Sequence, residues 1–440
     1  MTIFSKYLSY LLVTLLVIGV WSCQEDEEVV VPQEPTPPPV ALNSDGLRDT
    51  TFRIMQEWYL WNDQMPDVDP ADYGSADDLL NALRFERDKW SYITEEKEYD
   101  DYFKRGEYRG YGYGPAFDEA GDLRVSLVYQ DSPFGRAGVE RGWIIRKING
   151  LPISRGNYSN DLLEAPTNTF EFITPAGSTV TETLAKTTVG INTVLDYRVL
   201  EVGSRPVGYL AFNGFIEKSL DELKPAFEEF QRAQITDLVL DLRYNGGGQV
   251  NVAEYIATNL IGTRGTDRVF AQDSYNPTIQ SAIDADPETL AFTTRKFAAP
   301  EFPLDLNRLV VIASGRTASA SELLINGLRP FMDVLIVGEN TYGKPVGSRP
   351  FRYGGYAISP IVLKIVNDNG EGEYYDGFAP DVQVADDLSR NFGDPREARL
   401  KEALQFIETG IFSDQSSRQV PSIKSQPIEF SGFQREIGTL

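Results

Sequence analysis

Three short stretches of this sequence carry residues whose types and spacing suit the hydrolysis of an acyl bond. The first, LVVIASGRTASASELLINGL at 309–328, runs from an apolar strand into a helix that begins around Ser319. A hydroxyl at a helix N-terminus sits beside unpaired N–H groups and the positive end of the helix dipole. An oxyanion forming next to Ser319 would be stabilised there, with the N–H of Ala320 as the natural donor. Serine is also the default helix N-cap, and taken alone the stretch reads as a cap first. The second, DVLIVGENTYGKPVGS at 333–348, puts Lys344 on a Gly-rich loop just past a buried strand. Lysine serves as a general base only when neutral, which asks for a fall from ~10.4 towards ~7–8 by burial among apolar strand ends. The third, DLVLDLRYNGGG at 237–248, runs a hydrophobic strand into three glycines that let the backbone turn N–H groups towards a substrate carbonyl. Gly246 or Gly247 is the expected second oxyanion donor, although a tight strand-to-helix turn asks for the same glycines.

Composition narrows the chemistry. The 440 residues contain no histidine, which removes the usual neutral-pH base and the commonest metal ligand together. The only cysteine is Cys23, so there is no intrachain disulfide, no thiolate nucleophile in the body and no cysteine-based metal site. Acid–base work falls to lysine, tyrosine or carboxylates. The formal charge of −24, from 65 acidic and 41 basic residues, repels phosphate backbones and argues against nucleic-acid partners. Gly338 and Gly343-Lys344 imitate a Walker A loop, but Pro345 stands where that motif needs a Ser or Thr hydroxyl, so nucleotide binding is not expected.

The elements that must position these residues can be read in order. Residues 1–23 read as an address: Lys6 precedes an apolar run from Leu8 to Trp21 that is short for a bilayer span, and Ser22 precedes Cys23. This segment resembles a bacterial lipoprotein signal, which implies an acylated Cys23 and a body anchored at the cell envelope, on the outer membrane. The acidic and Pro-rich stretch 24–45 reads as a tether. Three- and four-residue apolar spacing predicts a helical region over 46–106, with Ser75 or Asp77 capping its second helix. The period changes to strands over 107–192. From 193 to 410 strands and helices alternate, predicting an α/β core with a largely parallel sheet, and 411–440 read as a loosely packed polar tail.

DSPFGRAGVERGWIIRKINGLPI at 131–153 resembles the centre of PDZ domains, and Tyr111-Gly112-Tyr113-Gly114 stands where those domains carry their carboxylate-binding loop. A Gly-rich turn that exposes N–H groups beside a strand edge suits capture of a peptide C-terminus; the bland alternative is a tight turn. Taken together, the PDZ-like stretch, DLRYNGGG, TASASE and the Gly-Lys loop resemble the C-terminal processing peptidases, or tail-specific proteases, over residues 107–385. The resemblance implies a crotonase/ClpP-like α/β protease core with an inserted PDZ-like β-rich domain. It also implies Ser319 as nucleophile, Lys344 as base 25 positions later, protein substrates with exposed C-termini, and no cofactor or metal. GFAPD at 377–381 resembles the family's final strand segment. Many members carry a glutamine four residues after the lysine to orient its amine; here the position is Ser348, whose shorter hydroxyl is the candidate replacement. Ser321 and Glu322 are read as capping residues that could assist. Two rivals remain on the sequence: a non-catalytic ligand- or peptide-binding lipoprotein on the same scaffold, and a crotonase-like acyl-handling enzyme.

Overall fold

Helix α1 (Asp45–Trp58) starts where the Ser44 hydroxyl accepts the N–H of Leu47, and it buries Leu47, Thr51 and Met55 along one face. The computed structural model describes residues 41–413, 425–427 and 433, so Cys23 and its leader lie outside the described residues. Helix α2 (Ala76–Leu83) is capped by Ser75 rather than Asp77: the serine hydroxyl accepts the Asp78 N–H at 3.1 Å, and both aspartates sit in the acid-favouring first turn. The region after α2 departs from the helical expectation. Tyr92–Glu95 is a strand paired antiparallel with Tyr356–Ser359, in a three-stranded sheet of its own.

Residues 113–185 form an antiparallel sheet in the order β1 (Tyr113–Asp118), β2 (Leu123–Val128), β3 (Ile144–Ile148), β4 (Thr167–Ile173) and β5 (Thr179–Ala185). Alternation along β4 turns Asn168, Phe170 and Phe172 inward. Phe170 and Phe172 meet Phe134 edge-on, while Phe134 stacks on Tyr113 with ring centroids 4.3 Å apart.

The core sheet is built from β6 (Val194–Val202), β7 (Arg205–Phe212), β8 (Asp237–Asp241), β9 (Arg308–Ala313) and β10 (Asp333–Gly338). After the short β11 (Val346–Ser348), β12 (Val382–Gln383) closes it. The spatial order is β6-β7-β8-β9-β10-β12, antiparallel at β6/β7 and parallel thereafter. Helices α3 (Ser219–Ala233), α4 (Val250–Ile261) and α5 (Ala320–Leu328) cover one face with Leu238 and Leu240, and α6 (Ala398–Thr409) covers the other with Val239, Val310 and Ile312. Burial on both faces is why β8 and β9 read as unbroken apolar runs. The three motif loops all leave the carboxyl ends of parallel strands, where open α/β sheets place their ligands.

A buried ionic cluster fastens the β-rich sheet to this core. Arg243, 2% exposed, binds Asp241, Asp386 and Glu397. Arg141, between β2 and β3, joins it by donating to Asp386 at 3.1 Å, to the Tyr244 hydroxyl at 2.8 Å and to the Arg390 carbonyl at 2.9 Å.

Beyond residue 413, the described residues of the C-terminus are Ser425–Pro427 and Phe433. Strand β13 (Ser425–Pro427) pairs antiparallel with β1, and Phe433 is 9% exposed within a ring cluster.

Candidate active site

Ser319 is the N-cap of α5 and has φ of +55° and ψ of −115°. That is a conformation an L-residue holds at a cost of about 1–3 kcal/mol, and such strain clusters at functional sites. Several neighbours fix it. Thr317 donates its hydroxyl to the Leu242 carbonyl at 2.8 Å, while the Asn245 carbonyl accepts the Ala318 N–H and the Ser321 hydroxyl, each at 3.1 Å. Ser321 is therefore committed to stitching the Ser319 turn to the glycine loop.

Gly247 passes close behind the serine. Its φ is +104°, and a Cβ there would lie 2.7 Å from the Ser319 Cβ and 2.8 Å from the Ala320 nitrogen. Only glycine leaves the Ala320 N–H clear. The Gly247 N–H itself is donated to Asn245 Oδ1 at 2.9 Å, so it is already engaged. The glycine of the run that lines the cavity is Gly248, with φ of +133°, rather than Gly246 or Gly247. Neither Gly246 nor Gly247 borders the cavity.

Lys344 is 6% exposed and lies on the loop between β10 and β11. Gly343, with φ of +89°, and Gly377, with φ of +74°, let this loop and the Gly377–Asp381 segment approach each other: a Cβ at either would strike a backbone oxygen at 2.2 and 2.1 Å. The two segments are tied by Thr341, whose N–H reaches the Phe378 carbonyl and whose hydroxyl accepts the Phe378 N–H at 2.7 Å.

Glu322 links the serine to the lysine. Fully buried on α5, its carboxylate accepts the Ser319 N–H at 3.0 Å and the Lys344 N–H at 2.8 Å. It also accepts the Gly343 N–H and the Thr341 hydroxyl at 2.6 Å each. Burial pushes its carboxyl above the ordinary range, and the four donors oppose that rise. The sequence marks Glu322 as a capping residue, which it is for Ser319. Nothing in the spacing announces that the same carboxylate holds the lysine loop.

Ser319, Ala320, Lys344, Ser348 and Gly248 line one cavity of about 180 Å³. Ser348 is exposed at the end of β11. The remaining wall was not foreseen as site: Tyr92, Tyr99 and Phe103 come from the region read as helical core, Gln249 follows the glycine run, and Tyr374 precedes Gly377. Tyr374 is buried, and desolvation with the nearby Glu322 charge drives its phenol well above the usual value. Tyr111, Gly112, Tyr113 and Gly114 are all buried in the β-rich sheet. The Gly112 carbonyl accepts the Tyr129 N–H at 3.0 Å, and a Cβ on Gly112 would lie 2.0 Å from that of Ser132. No group of His, Cys, Asp or Glu among the described residues could hold a metal ion.

A serine at a strained helix N-cap and a buried lysine on the next parallel strand's loop thus share one cavity with a clear N–H turn. Residues 206–384 match peptidase family S41, and residues 50–92 match the peptidase S41 N-terminal domain. The chain belongs to peptidase family S41. It is 28% identical to carboxyl-terminal-processing peptidase 1, chloroplastic, of Arabidopsis thaliana, across 56% of this chain and 50% of the relative. It is 26% identical to the carboxy-terminal-processing protease of Bartonella bacilliformis, across 62% and 61%. With the carboxy-terminal processing protease CtpA of Bacillus subtilis it shares 23% identity across 77% and 68%. This S41 chain therefore spans about half to two thirds of the length of these curated relatives. A crystal structure from Bacteroides fragilis, described as that of an S41 protease, shares its fold with a TM-score of 0.67. The two are 23% identical, across 86% of this chain and all of the other.

Proposed function

We propose that the chain is a serine endopeptidase of the cell envelope that works through Ser319 and Lys344. The observation that carries this reading is their shared cavity, with Glu322 holding the backbone of both. Lys344 takes the proton from the Ser319 hydroxyl as Oγ attacks the peptide carbonyl. The N–H groups of Ala320 and Gly248 receive the oxyanion. Collapse expels the amine, which takes the proton from Lys344, and a water activated by Lys344 then hydrolyses the acyl-enzyme. Ser348 borders the amine's cavity and is assigned to orienting Lys344, in place of the glutamine of many relatives.

The β-rich sheet is assigned to capturing protein C-termini as an added strand on β1, with the turn Tyr111–Gly114 supplying backbone N–H groups to the terminal carboxylate. Cys23 is assigned as the lipid anchor to the outer membrane. Cleavage of an unfolded reporter by the chain lacking residues 1–23, beside Ser319→Ala and Lys344→Ala, tests the mechanism. Each variant should lose at least ~10³-fold in kcat/KM. A wild type that cuts no better than the variants would sink the reading and leave the same cavity as a ligand site.

A further inference from the structure

Strand β1 has one side occupied by β2; its other side carries a segment of the chain's own C-terminus. Ser425, Gln426 and Pro427 of β13 stand opposite Asp118, Phe117 and Ala116. The Asp118 N–H is donated to the Asp122 carbonyl on the β2 side, so by alternation Phe117 presents its N–H and C=O to Gln426. Pro427, which has no N–H, falls beside that hydrogen-bonded pair, where an edge strand tolerates proline. β13 also has the polarity of a captured C-terminus: running antiparallel to β1, it heads towards Tyr111–Gly114.

Six positions beyond Pro427, Phe433 enters a ring cluster made by Tyr92, Tyr99, Tyr102 and Phe103, with centroids 5.7–6.2 Å away. Tyr92, Tyr99 and Phe103 also line the cavity that holds Ser319 and Lys344. The tail's strand occupies the edge assigned to peptide capture, and its phenylalanine packs against Tyr92, Tyr99 and Phe103, three rings that border the catalytic cavity, without itself lining it.

We propose that the C-terminal tail is a tethered competitor of substrate for the free edge of β1, anchored by Phe433. The proposal rests on the peptidase reading above. A tethered ligand acts at an effective concentration in the millimolar range, so a tail of even ~0.1 mM intrinsic affinity lowers apparent substrate capture about tenfold. Competition of this kind raises KM and leaves kcat in place.

The test compares the chain with its Phe433→Ala and Gln426→Pro variants, the first removing the aromatic anchor and the second a ladder N–H. Both should cleave an unfolded reporter with a KM about tenfold lower and kcat unchanged. A labelled peptide of residues 421–440 should bind Gln426→Pro/Ser319→Ala saturably and Ser319→Ala about tenfold more weakly. Phe433→Ala within the peptide should weaken its binding. Unchanged KM in both variants of an active enzyme, with no peptide binding, overturns the tail's role while leaving the peptidase intact. Peptide binding of the expected order in a chain that never cleaves upholds the tail's seat and removes the peptidase. Inhibition that disappears on dilution would assign the seat to a second copy and overturn the tethered form.

Discussion

The carboxylate of Glu322 accepts the backbone N–H of Lys344 across 22 positions of sequence, at 2.8 Å, while the same oxygen accepts the N–H of Ser319. The relative placement of nucleophile and base is thereby set by a third residue that touches neither functional atom in these bonds. Glu322→Ala would strand four buried donors, each costing about 1–3 kcal/mol when left without a partner. Glu322→Gln keeps the shape but turns one acceptor into a donor facing N–H groups. We expect Glu322→Gln to lower kcat by ~10²-fold with KM little changed, since a displacement of the catalytic pair by a fraction of an ångström acts on the chemical step. Steady-state kinetics beside a thermal melt separates this from simple unfolding: a drop in KM-normalised rate that merely tracks lost folded protein would refute the positioning role.

The close passage of Gly247 behind Ser319 gives a sharper contrast. Gly247→Ala must strain a φ of +104° and press its Cβ into the Ser319 Cβ and the Ala320 nitrogen. Gly121→Ala, at φ of +86°, meets nothing within 4 Å. Both pay about 1 kcal/mol or more for the left-handed backbone. Only Gly247→Ala should also abolish turnover, by ~10²-fold or beyond, through loss of an oxyanion donor. Equal activities in the two variants would show that the approach to Ala320 has no catalytic consequence.

These two cases show what the sequence could and could not say. The strands β8, β9 and β10 were legible because burial on both faces writes continuous apolar runs, and the loops that follow them were legible because glycine and proline mark sharp turns. Ser319 and Lys344 stood out through the resemblance of TASASE and the Gly-Lys loop, 25 positions apart, to the C-terminal processing peptidases, with the missing histidine and cysteine narrowing the chemistry further. The wall of the cavity was not legible. Tyr92, Tyr99 and Phe103 sit in an aromatic-rich stretch whose spacing says only that they are buried, and the tertiary pairing of Tyr92–Glu95 with Tyr356–Ser359 decides what they face. Gly247 and Gly248 differ by one position, and only the hydrogen bond from Gly247 to Asn245 separates an engaged N–H from a cavity-lining residue. The tail's seat rests on a three-residue ladder and one ring, too short to carry a periodic signal.

The ionic cluster under the β-rich sheet sets an acid-stability prediction. Burial alone would raise Asp386; the guanidinium groups of Arg141, Arg243 and Arg399 outweigh it and hold the carboxyl well below the ordinary range. A depressed folded pKa contributes stability that is complete above the unfolded value of ~3.9 and is lost as pH falls through that value towards the folded one. Urea unfolding of wild type should therefore weaken steeply below about pH 4, and Asp386→Asn should show a shallower slope over the same window. The substitution should also cost about 3–5 kcal/mol at neutral pH, because it leaves buried arginines under-compensated. Parallel slopes in the two proteins would place the acid response elsewhere.

Arg141 reaches from the β-rich sheet into that cluster, donating to Asp386, to the Tyr244 hydroxyl and to the Arg390 carbonyl from a side chain that is nearly fully buried. Its guanidinium matches several acceptors at once, a geometry that a lysine ammonium does not reproduce. Arg141→Lys should therefore behave like Arg141→Met rather than like wild type, with the methionine retaining more packing than charge. Removing the arginine leaves Asp386 with Arg243 but deprives the β2–β3 turn of its hold on the core, so the loss should be local. Amide exchange in β1–β5 should quicken by ~10-fold or more, matching at least about 1.4 kcal/mol of lost local stability, while β8 and β9 keep their protection. Uniform quickening across both sheets would show that Arg141 supports the whole fold rather than the seat of the β-rich region upon it.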